Sequence, residues 1–140
     1  MRFTEREMTV AVDAVARRLY VATRLPWRRG GADAAWDSLG TIDRYNRKAA
    51  VGEAVLPALV ALPERPTVGA RPEFTKEEYA AAAEVASRTL LEQRKPGSWD
   101  ALPERRRRRL VAATAALTRS AVAAMPVRQD PDALTAPDHL

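Results

Sequence analysis

The sequence contains no cysteine and a single histidine, His139, in its last few residues. The first absence excludes a disulfide scaffold, a thiolate-held zinc or iron–sulfur centre and a cysteine nucleophile. The second leaves no material for a histidine-based catalytic pair or a cluster of imidazole ligands. Aromatic residues are sparse, at three Trp, three Tyr and two Phe, so the core must come mainly from small aliphatic side chains. No stretch approaches the roughly 20 uncharged apolar residues of a membrane helix. The first 25 residues alternate charge and apolarity, with no signal-peptide core, so a cytoplasmic protein is expected. A Walker-type loop, a GxSxG elbow and a Glu-x-x-His pair are all missing. No catalytic residue, metal ligand or cofactor is therefore expected.

Alanine and arginine dominate what remains. A hydrophobic share of 46% beside 29% charge is the composition of a globular chain, and 140 residues fit one domain. Few β-branched runs interrupt the alanine, which favours closely packed helices over sheets. Of the 23 basic residues 20 are Arg, a skew that a high-GC genome would produce without any function behind it. The net charge of +5 nevertheless permits an acidic partner.

The chain repeats itself. "FTEREMTVAVDAVARRLYVATR" (3–24) aligns without gaps to "FTKEEYAAAAEVASRTLLEQRK" (74–95), matching Phe3 with Phe74, Thr4 with Thr75, Glu7 with Glu78 and Asp13 with Glu84. "WDSLGTIDRYNRKAA" (36–50) aligns to "WDALPERRRRRLVAA" (99–113), and Pro63 then falls in register with Pro126. Thr4-x-x-Glu7 and Thr75-x-x-Glu78 read as capping boxes that open helices. One apolar face carries Met8, Ala11, Val12, Val15, Leu19 and Ala22; its counterpart carries Tyr79, Ala82, Ala83, Ala86 and Leu90. Second helices are expected from about Thr41 and Pro103, with Pro57 kinking or ending the former near Leu56.

The expectation is an all-α domain of four main helices over residues 1–126. They form two tandem, pseudo-symmetric helix–loop–helix repeats, 3–63 and 74–126, joined by a linker at 64–73. A loose polar tail follows at 127–140. Two related pairs sharing one core would pack about a pseudo-two-fold axis.

Candidate sites follow from this layout. Trp36 with Leu39, and Trp99 with Leu102, form the repeat signature and read as plugs at the end of each pair, Asp37 and Asp100 capping nearby N–H groups. Arg44 and Arg107 occupy matched positions, suited either to a bidentate anion contact or to an internal partner such as Asp37 or Glu7. The inserted loop "LPWRRGG" (25–31) offers Trp27, Arg28 and Arg29 for stacking or for an acidic surface. Arg105, Arg106, Arg107, Arg108 and Arg109 are consecutive, and in a helix they turn through about 400 degrees instead of forming one stripe. They also sit in the first turns, where the helix dipole disfavours cations. A partner among Glu77, Glu78, Glu84 and Glu92, or an external anion, would offset that. Glu7 with Glu78, or Asp37 with Asp100, could meet across the dyad as a carboxylate pair, but acids at these places read first as caps.

The stretch "WDSLGTIDRYNRKAA" resembles the Trp-x-x-Leu…Arg-x-Asn-Arg…Ala signature in the C-terminal part of bacterial RyR-type domains. "WDALPERRRRRLVAA" adds the Leu-Pro that the signature often carries. Similar patterns occur in small uncharacterised actinobacterial and actinophage proteins. The resemblance spans about 15 residues per copy; the Tyr that precedes the motif in those domains is matched by Tyr20, their His is not. It implies a small helical module for binding or interaction. Taken together, the expected function is non-catalytic recognition of a protein partner or of a second copy. The alternative is nucleic-acid binding through the arginine-rich surface, and no membrane partner is expected.

Overall fold

A computed structural model of the chain describes residues 1–23 and 31–128. These described residues form six helices: α1 (Glu5–Thr23), α2 (Ala32–Ser38), α3 (Thr41–Ala61), α4 (Lys76–Arg94), α5 (Ser98–Ala101) and α6 (Glu104–Ala124). Among the described residues there is no strand, and no helix is long and apolar enough to cross a membrane. The Trp-Asp segments lie in the short helices α2 and α5.

Four long helices carry the packing. α3 and α6 each pack against α1, against α4 and against one another. The core side chains are small and wholly covered: Ala11 and Val15 of α1, Val55 and Leu59 of α3, Ala83 of α4, Ala121 of α6. Alanine at such positions lets helix axes approach at the short end of the usual 8–10 Å range. Large rings buried in the packing include Trp36, Tyr79 and Trp99, with Tyr20 packed 5.7 Å from Trp36. Polar groups that the packing buries find partners. Thr118 donates to the Thr114 carbonyl at 2.7 Å, and Ser87 shares a 3.3 Å hydrogen bond with the Thr114 hydroxyl.

Both expected capping boxes form. Glu78 N–H donates to Thr75 Oγ1 at 3.1 Å while Thr75 N–H donates to Glu78 Oε1 at 2.8 Å. Thr4 and Glu7 make the same pair of bonds at 2.9 and 3.1 Å. The apolar face of α1 departs from expectation at its far end: Leu19 and Ala22 are exposed and Ala16 is buried instead. There α1 has the short α2 beside it, which covers less than a full-length helix would.

Pro57 does not end its helix. α3 runs on to Ala61: the carbonyl that Pro57 leaves without a donor belongs to Glu53, and both residues lie on the exposed face, where that carbonyl is accessible to solvent. At its C-terminal end, α3 receives the Met1 nitrogen, which donates to the Val60 carbonyl at 2.7 Å and to that of Leu62.

Candidate binding groove

One end of the bundle is closed by two arginines. Arg65, in the segment after α3, grips Glu78 at the start of α4 through two parallel bonds of 2.9 Å and donates to the Glu73 carbonyl at 2.5 Å. Its guanidinium lies 5.1 Å from the Phe74 ring centre. Arg128, after α6, grips Glu7 at the start of α1 at 3.0 and 3.3 Å and donates to the Arg2 carbonyl at 2.9 Å. It lies 5.6 Å from the Phe3 ring centre. Arg65 and the Thr75 N–H draw the Glu78 carboxyl down to about 2. At Glu7 burial pushes the carboxyl up, but Arg128 and Thr4 together outweigh it, and the net shift is downward. These acids are spent on structure and do not form a carboxylate pair.

The opposite end is set by the turn between α4 and α5. Gly97 takes the left-handed conformation (φ 82°) that a side chain would strain. Glu92 accepts from the Gly97 and Trp99 N–H groups at 2.7 and 3.2 Å, and Ser98 Oγ donates to the Leu91 carbonyl at 2.6 Å. Held this way, Trp99 is 5% exposed, and Arg107 rests over its ring at 5.9 Å.

Between these ends α4 and α6 leave an open groove of about 670 Å3. Its floor is Tyr79 and Ala80 of α4 with Val111, Ala112, Ala115 and Ala116 of α6, and Trp99 stands at its head. The rim is charged: Glu104, Arg107 and Arg108 at the head, Lys76 and Arg119 at the foot, Glu84 between. Glu104 is satisfied, since Arg108 donates to it at 2.8 Å and holds its carboxyl below the ordinary value. Glu84 makes no ion pair among the described residues. Beyond Tyr79 and Arg119 the foot opens toward a second hollow of about 590 Å3 that includes Phe74 and Val122.

The expected site residues scatter against this geometry. Trp27, Arg28 and Arg29 lie outside the described residues. Arg44 donates to the backbone carbonyl of Asp37 at 3.3 Å and does not line the groove. The Asp37 carboxylate faces Arg17 at 3.2 Å, so it is not a cap, and the N-termini of α3 and α6 have no side-chain cap. Within the arginine run, no residue pairs with an acid of α4 among the described residues: Glu78 holds Arg65, Glu92 holds the α5 turn, and Arg108 turns to Glu104 of its own helix. Arg107 and Arg108 reach the groove; Arg106 lines a small hollow beside α5, and Arg105 and Arg109 are exposed. Trp36 and Trp99 are buried, with Leu39 and Leu102 half-covered behind them, each donating its N–H to the tryptophan carbonyl.

Sequence reasoning passed over Lys76, Ala80, Ala112, Ala116 and Arg119 as site residues, and named Glu84 only as a possible partner for the arginine run. A signal for them exists. α6 buries Thr114, Thr118, Ala121 and Val122, Val111 and Ala115 lie half-covered at the edge of that face, and Ala112 and Ala116 carry the apolar surface on beyond it. A helix that is apolar on more than the one face its bundle requires has surface left to cover. No three potential metal-ligating side chains cluster among the described residues. No family model, curated protein or solved structure matches the chain.

Proposed function

We propose that the protein is a non-catalytic helical interaction module of the cytoplasm, and that the α4–α6 groove receives a segment of a protein partner. The observation that carries this reading is the groove itself: open to solvent, floored by small apolar side chains, headed by a buried tryptophan and rimmed by charge. Two facing helices with such a floor suit helix-in-groove recognition, in which a partner lays its apolar side chains between them.

The duplication supports the choice of groove. On the repeat reading Arg65 corresponds to Arg128, Glu78 to Glu7 and Phe74 to Phe3, and the two arginines make matching sets of contacts. In the first copy Lys48 of α3 bridges to Asp13 of α1 at 2.7 Å across the corresponding helix pair. Their counterparts in the second copy are Val111 and Glu84, so the bridge is missing there and an apolar side chain stands in the place of the lysine. That exchange removes one link across the second pair. The resemblance to RyR-type domains is compatible with this role.

Capture of helical peptides from a displayed library tests the proposal. Wild-type protein should enrich peptides that Ala112→Trp and Ala116→Trp variants bind at least ten-fold more weakly, with unchanged circular dichroism, since both positions are exposed. Peptides bound equally well by the filled groove would refute it. Nucleic-acid binding is the competing outcome. It would appear as mobility shifts at ~50 mM salt that fade steeply as salt rises and that depend on Arg105, Arg106 and Arg109 instead of the groove.

A further inference from the structure

Resting on that reading, we infer that the groove selects an amphipathic helix carrying acidic residues at both ends of its apolar face. The cations of the rim are not spread evenly. Arg107 and Arg108 sit at the head beside Trp99, and Lys76 and Arg119 at the foot beside Tyr79. Only Arg108 has an anionic partner among the described residues, Glu104, at 2.8 Å. Arg107 leans on the Trp99 ring, which offers a face but no charge. The unpaired acid, Glu84, stands between the two cationic ends.

This spacing defines a complementary ligand. The helix rise places Arg108 and Arg119 about 17 Å apart along α6, and the stretch of α6 bordering the groove, Glu104 to Arg119, covers about 22 Å. A segment of about four helical turns fills that length. Its acids should fall about eleven residues apart, one near each cationic end, with an uncharged or basic residue opposite Glu84. Small floor side chains at Ala80, Ala112 and Ala116 leave depth for the larger Leu or Phe side chains of the incoming helix. A compact anion would meet one end only and leave the apolar floor wet, so the charge pattern and the length together favour an extended acidic segment.

Two synthetic 16-residue helical peptides with one leucine face test the inference, one bearing Glu at both ends of that face and the other Lys. They are titrated into the full chain and followed by calorimetry at ~100 mM salt. The Glu peptide should bind at least ten-fold more tightly, and this preference should shrink in a Lys76→Glu/Arg119→Glu variant. Both positions are exposed, so the fold tolerates the change. Arg105→Glu, which lies off the groove, should leave the preference intact. Equal binding of the two peptides, tighter binding of the Lys peptide, binding of neither, or equal sensitivity to Arg105→Glu overturns it. Charge selection fails alone if library peptides depend on Ala112 and Ala116 yet carry no acids. The interaction reading itself fails if nothing depends on the groove.

Discussion

Two ion pairs of the same design differ in their surroundings, and the difference sets what each is worth. Glu7 is 4% exposed and Arg128 partly covered, whereas Arg65 and Glu78 stand nearer to water. Removing Arg128 strands a buried carboxylate with only the Thr4 N–H for compensation, which costs about 2–3 kcal/mol. Arg65→Ala should cost less, because water re-solvates Glu78. Urea unfolding of the two variants checks the order; an equal or reversed order would show that burial does not govern these pairs. Both carboxyls lie below the ordinary value of 4.5 in the folded chain. A depressed folded value gives stability that is fully present above the unfolded pKa and is lost as pH falls toward the folded one. The urea midpoint should therefore hold steady from pH 7 to 5 and fall between about 4.5 and 2. In Glu78→Gln it should start lower and fall less over that window. None of this was legible beforehand: the capping boxes announced both acids, but their partners sit in linker and tail composition, far along the chain.

At the scale of the helix, α3 and α6 each carry a sequence that a free helix would resist. Pro57 sits inside α3 with its N–H position lost, so Pro57→Ala should raise stability by about 1 kcal/mol or more. Its effect in thermal unfolding is the check, and a loss of stability would mean that the ring is packed as well as tolerated. α6 opens on arginines against its own dipole. Arg105→Glu and Arg106→Glu should each add about 0.5 kcal/mol, raising the melting temperature without touching the groove. A drop would reveal a structural partner for the run. Helix positions were legible from capping boxes, proline punctuation and apolar spacing. The persistence of α3 past Pro57 was not, because it depends on which face of the packed helix meets water.

For the molecule as a whole, sequence and fold divide the explanation. Alanine-rich periodicity, two Thr-x-x-Glu starts and the absence of β-branched runs made an all-helical chain unavoidable, since each is a local property of a few neighbouring residues. The arginine run at 105–109 was equally visible, but its meaning was not. Only packing decided that Arg107 would settle on Trp99, that Arg108 would turn to Glu104, and that Arg105 and Arg109 would stay in water. The groove belongs wholly to the tertiary structure. It exists because α4 and α6 meet along Ser87 and Thr114 and, beside that contact, leave Val111 half-covered and Ala112 and Ala116 exposed. Which side of an alanine-rich helix is buried depends on where its partners stand, and residues far apart in the sequence decide that.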